Sequence, residues 1–143
     1  MTASTLLKRL DAATSVFDWS FNSSENTDTG YKLSLQGKST KDAAELYSLL
    51  KDYLYRNNIP FKVATCMRTE SDNKEQRRKV MTIYIPNQMN VYDVAEEVYT
   101  LSMSYKGWHD IKTPTSYEHY AGCVFVGNDR VNGQYIPAIN RIN

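Results

Sequence analysis

YKLSLQGKSTKDAAELYSLLKDYLYRNNIPFKV, residues 31–63, holds a strand, a helix and a second strand in direct succession. Within 31–36, Tyr31, Leu33 and Leu35 alternate with Lys32, Ser34 and Gln36. A period of two marks a strand with one buried face. From residue 40 the period changes. Ala43, Leu46, Leu50 and Leu54 form one helical stripe, with Ala44, Tyr47 and Tyr53 beside it, which predicts a helix over 40–56. Ser39 or Thr40 can cap its start, and Asp42 suits the positive end of its dipole. Asn57-Asn58 ends it and Pro60 forbids continuation. At 61 alternation returns: Phe61 and Val63 oppose Lys62 and Ala64.

Outward from this stretch the same two periods repeat. Residues 80–85 read as a strand, with Met81, Ile83 and Ile85 opposing Thr82 and Tyr84. Residues 91–105 read as a second helix, with Val91, Val94, Ala95, Val98 and Leu101 inward and Gly107 placed to stop it. Residues 123–126 read as a last strand. The order is β-α-β-β-α-β, so the expected fold is α+β. It is a ferredoxin-like sandwich with two helices on one face of a four-stranded antiparallel sheet. The expected organisation is an arm or short helix plus polar linker over 1–29, then a single α+β domain over 30–143. The arm carries Leu6, Leu7, Leu10, Val16, Phe17, Trp19 and Phe21, too apolar for a free tail. Residues 69–79 are wholly polar, with a basic run at Lys74, Arg77, Arg78 and Lys79, and read as a solvated hairpin connection. Asn132-Gly133 signals a turn.

At 143 residues the chain has the size of one domain with a real core. Lys+Arg 17 against Asp+Glu 16 leaves a net charge of +1. That balance argues against a protein that coats nucleic acid. Residues 1–14 lack a secretory apolar run, being broken by Lys8, Arg9 and Asp11, and no stretch reaches membrane-span length. The expectation is a cytoplasmic protein with no membrane association, whose Cys66 and Cys123 are free thiols. Eleven tyrosines against four phenylalanines favour half-buried edges and interfaces.

Strand alternation co-faces Lys32, Ser34, Gln36, Lys62, Thr82 and Tyr84 on the sheet face away from the helices. Two lysines with hydroxyl donors suit a phosphate or carboxylate, so Lys32, Ser34, Lys62 and Tyr84 are the expected anion-binding residues. The 108–122 segment is too long and aromatic for a mere connector. With Trp19 from the arm, its Trp108, Tyr117 and Tyr120 are the expected interface residues. His109 and His119 stand ten apart without patterned cysteine partners, so no metal ligand set is expected. No cofactor motif occurs, and no phosphate-cradling glycine loop.

Tyr31-Lys32-Leu33-Ser34-Leu35, Ile59-Pro60-Phe61-Lys62-Val63 and Val80-Met81-Thr82-Ile83-Tyr84-Ile85-Pro86 carry a resemblance. In order and spacing they resemble the lyase domain of class III lanthipeptide synthetases, which is related to bacterial effector phosphothreonine lyases. The resemblance spans about 30–86. It implies elimination of phosphate from a phosphorylated Ser or Thr, with Lys62 matching the lysine base and Lys32 a phosphate-contacting lysine. Ser34 stands where that family has its histidine acid, and a serine does not donate a proton near neutrality. If the chain is an enzyme, it is a carbon–oxygen lyase with Lys62 as base and His119 as the substitute acid.

The leading expectation is a non-catalytic binding protein. It would use the open sheet face and the 108–122 loop to hold a protein partner, a phosphorylated peptide or another anion. Self-association is a further expectation. By association of composition alone, its Asn- and Tyr-rich single domain suits a phage-encoded accessory protein in the host cytoplasm. The rivals are the lyase-like enzyme and a structural subunit of a larger particle such as a virion.

Overall fold

A computed structural model of the chain describes residues 18–22, 30–66, 79–107, 117–128, 130–131 and 134–135. The strands are β1 (Asp18–Asn22), β2 (Tyr31–Gln36), β3 (Phe61–Cys66), β4 (Lys79–Tyr84), β5 (Tyr117–Ala121), β6 (Val124–Asn128), β7 (Arg130–Val131) and β8 (Gln134–Tyr135). The helices are α1 (Thr40–Arg56) and α2 (Val91–Ser102). Six strands form one sheet in the order β1-β3-β4-β2-β6-β5, with every pairing antiparallel. β7 and β8 pair separately. The fold is α+β.

The sheet has six strands where four are expected. Its order is therefore not that of a plain four-stranded ferredoxin-like sandwich: β1 is added outside β3, and β5 outside β6. Part of the expected arm is thus a strand, paired with β3 from Asp18↔Cys66 to Asn22↔Phe61. Trp19 and Phe21 alternating with Ser20 is the local signal that permits it. Part of the 108–122 segment is likewise β5, which makes a hairpin with β6. The expected N-terminal helix, the basic run at 74–78, Trp108, His109 and the turn at 132–133 lie outside the described residues.

Local chemistry accounts for both helices. The Ser39 side chain accepts from the Asp42 amide, and the Lys38 amide donates to Asp42 Oδ2 at 2.7 Å. Two amides at the start of α1 are so satisfied reciprocally. At its end Asn58 adopts φ 51, and the Ile59 amide donates back to the Leu54 carbonyl at 3.0 Å. That is the Schellman closure, with asparagine in the left-handed position. The Asn90 side chain caps α2 by accepting from the Tyr92 and Asp93 amides. α2 ends at Ser102 and not at 105, because the Ser102 hydroxyl bonds the Tyr99 carbonyl and the chain folds back to bury Tyr105.

α1 packs on β3 and β4, α2 on β6 and β2, and the helices touch each other. They form one layer on one face. Leu33, Leu35, Leu46, Leu50, Val63, Ile83, Val94 and Val98 are buried in the shared core. Cys123 lies beside it as a free thiol that donates to Ser102 Oγ at 3.8 Å, and burial pushes its pKa up to about 11. β3, which carries Cys66, is separated from β6 by β4 and β2. Three strand spacings make about 14 Å, beyond the roughly 7 Å limit for a disulfide. Among the described residues, no helix is long and apolar enough to cross a membrane.

Candidate functional site

The face of the sheet away from the helices is where the chemistry gathers. Cross-strand partners share a face, so the register reads its layout directly. Phe21, Lys62, Thr82, Ser34, Phe125 and His119 form one row across all six strands. Tyr84, Lys32, Gly127 and Tyr117 form the next. The expected anion-binding residues Lys32, Ser34, Lys62 and Tyr84 occupy adjoining positions in these two rows.

This face is not open. Ser34, Gln36 and Thr82 are buried, Lys32 is 7% exposed and Lys79 5% exposed; Lys62 and Tyr84 are half-buried. The long side chains lie along the sheet and do not stand in water. The Tyr117 ring lies flat on Gly127, where a Cβ would come within 2.6 Å of the ring. The ammonium groups of Lys32 and Lys79 sit 5.7 and 5.8 Å from that ring's centre. The Lys62 ammonium sits 6.0 Å from the Tyr84 ring. Each distance is in the cation–π range.

Lys79 reaches this face because of a bulge. Leu35 pairs with Met81 but Gln36 pairs with Lys79, so β4 holds one extra residue, Val80. A bulge turns two successive side chains to one side. Val80 and Met81 both enter the helix-side core, and Lys79 joins Gln36 on the polar side. Simple alternation would have put Lys79 with Met81. No signal in the sequence marks the bulge, and Lys79 reads there as the end of a basic loop.

β2, β3, β4 and β6 contain no Asp or Glu, so these strands bring three lysines to one face and no carboxylate. The hydroxyls and the amide complete the surface. Gln36 Nε2 donates to Ser34 Oγ at 2.6 Å. Gln36 Oε1 and Thr82 Oγ1 are buried with no hydrogen-bond partner. A buried polar atom left unmatched costs about 1–3 kcal/mol, and both atoms lie beside Ser34.

His119 is placed differently. It is exposed, its ring stacks 4.7 Å from that of Phe125, and its Nε2 pairs with the Gly122 carbonyl at 2.8 Å. A carbonyl only accepts, so Nε2 carries hydrogen there. β5 is four strands from β3, about 19 Å of backbone spacing from Lys62. The fold does not bring these two together.

The expected interface residues are dispersed. Tyr117 is buried on the polar face. Tyr120 faces α2 and donates its hydroxyl hydrogen to Glu96, which raises its pKa. Trp19 lies on edge strand β1. Among the described residues no cluster of His, Cys, Asp or Glu could hold a metal ion. No family model matches the chain, and no curated protein matches it.

Proposed function

We propose that the protein is a non-catalytic binding module that holds an anionic group of a partner against the polar face of its sheet. One observation carries this reading: Lys32, Lys62 and Lys79 share a face to which β2, β3, β4 and β6 contribute no acid. Clustered ammonium groups attract an oxyanion, and charge-assisted hydrogen bonds to its oxygens are stronger than neutral ones. Ser34 and Thr82 add hydroxyls between the cations, and half-buried Lys62 and Tyr84 form the rim.

The scaffold in this reading is an elaborated ferredoxin-like unit. The inner strands run β3-β4-β2-β6, with both helices on one side, and the two added strands widen the polar face. Absence of turnover follows from proton logic. An elimination needs a base and an acid on adjacent atoms of one substrate. Ser34 cannot serve as that acid, and His119 lies on the far edge from Lys62.

Titration with a phosphothreonine peptide tests the reading. Lys32→Ala and Lys62→Ala are each expected to weaken binding at least tenfold, and the peptide is expected to emerge with unchanged mass. Unaltered binding in both variants would sink the anion role. Release of inorganic phosphate with a dehydrated residue would establish the lyase instead.

A further inference from the structure

Exposed hydrophobic surface gathers on one flank of α2. Tyr92, Glu96, Tyr99 and Met103 recur at spacings of three and four, which aligns them along the helix. The stripe runs about 16 Å at 1.5 Å per residue. Tyr92 is 47% exposed and Met103 50% exposed, and among the described residues Tyr31 is the one other large hydrophobic side chain so exposed. Tyr99 is half-buried against the core. This flank faces β5. The Tyr120 ring lies 6.4 Å from that of Tyr92, and its hydroxyl donates to Glu96 Oε2. Glu118 pairs with the core residue Val126, so it is on the same side of the sheet as α2. Aligned exposed side chains of this kind, rimmed by polar groups, mark an interaction surface.

The charge around the stripe has one sign. α2 contains Asp93, Glu96 and Glu97, β5 contains Glu118, and neither element has a lysine or arginine. The next base along the chain is Lys106, beyond the end of α2. Asp93 and Glu97 turn the other way, toward Tyr53 of α1, whose pKa burial raises first and these two charges raise further. We propose that the flank of α2 beside Tyr120 docks an arginine-bearing basic segment of a partner protein. Tyr120 holds the Glu96 carboxylate in place by one oxygen, and the other can accept from a guanidinium. The flat guanidinium stacks on a tyrosine face as it does so, which an ammonium does less well. Met103 supplies an adaptable apolar contact at the far end of the stripe. The stripe matches about five residues of extended chain at roughly 3.3 Å each. This surface is on the helix side of the sheet, so the proposal is independent of the anion-binding reading.

Fluorescence anisotropy of a labelled peptide of three Arg-Ala-Leu repeats, and of its lysine counterpart, tests it with the full chain. In about 0.15 M salt, charges more than roughly 8 Å apart are largely screened. The arginine peptide is expected to bind, and the lysine peptide to bind roughly threefold more weakly or worse. Tyr92→Ala and Glu96→Gln are each expected to weaken the arginine peptide roughly fivefold or more; both side chains are exposed, so the fold does not depend on them. Glu97→Gln removes the same charge from the other flank and is expected to change affinity less than about twofold. Equal losses in Glu96→Gln and Glu97→Gln would overturn the proposal by reducing the attraction to net charge, and so would failure of the arginine peptide to bind. A chain that sediments as a dimer, and as a monomer after Tyr92→Ala, would overturn it by making a second copy the occupant. Failure of phosphothreonine-peptide binding would overturn the anion reading and leave this one standing.

Discussion

The two faces of the sheet are built from the same strands and are both largely withdrawn from water, yet they meet opposite demands. On the helix side Leu33, Leu35, Phe61, Val63, Met81 and Ile83 pack with Leu46, Leu50, Val94 and Val98, and the polar atoms of Cys123 and Tyr105 that reach this core are matched, by Ser102 Oγ and by the Gln36 carbonyl. On the other side Lys32, Ser34, Gln36, Lys79 and Thr82 are nearly as buried, but they bring charges and hydrogen-bonding groups with them. Burial of the first face stabilises the fold at about 25 cal/mol per Å². Burial of the second costs free energy wherever a group is unmatched. The contrast shows that low exposure alone does not identify a hydrophobic core. A buried polar face is a departure from the best-packed solution, and such departures are expected at functional sites.

The largest test of the contrast is on the apolar side. Leu50→Ala removes a fully buried side chain of α1 and is expected to cost about 2–5 kcal/mol. Urea unfolding measures it. A loss under roughly 0.5 kcal/mol would mean that Leu50 is a surface residue.

A smaller effect is expected where the polar face depends on a close approach. Gly127→Ala places a methyl group within 2.6 Å of the Tyr117 ring, which must move. The expected cost is about 1–3 kcal/mol, as for overpacking elsewhere. Because Tyr117 meets the ammonium groups of Lys32 and Lys79, the proposed binding of a phosphothreonine peptide should weaken as well, although no charge has been removed. A stability loss with unchanged affinity would detach Tyr117 from the site.

The smallest expected change has the opposite sign. Thr82→Val removes a buried hydroxyl that has no partner and keeps the volume. Thermal unfolding should show a gain of up to about 1 kcal/mol, while the proposed binding of a phosphothreonine peptide weakens. A destabilised Thr82→Val would show that the hydroxyl is matched in the folded protein, and would reduce the contrast between the two faces.

Local sequence was enough for much of this. The bounds of α1 follow from Ser39, Asp42 and Asn57-Asn58, because capping and left-handed closure involve only neighbours in the chain. The co-facing of Lys32, Ser34, Gln36, Lys62, Thr82 and Tyr84 follows from a period of two, a property of the backbone itself. The early end of α2 was less legible, since Ser102 can bond the preceding turn or continue it with similar ease.

The tertiary structure decided what depends on partners distant in the chain. Asp18–Asn22 becomes a strand because β3 offers it an edge, and Tyr117–Ala121 because β6 does. Neither segment has enough apolar alternation to declare itself alone. Lys79 turns to the polar face only because the pairing of β4 with β2 absorbs one extra residue at Val80. The burial of Lys32 and Lys79 and the distance from Lys62 to His119 also depend on the order of strands across the sheet. Dihedral preferences and periodicity act over a few residues and can be read from the chain. Strand order, bulges and burial arise when segments far apart compete for the same hydrogen bonds and the same space, and only the folded arrangement resolves that competition.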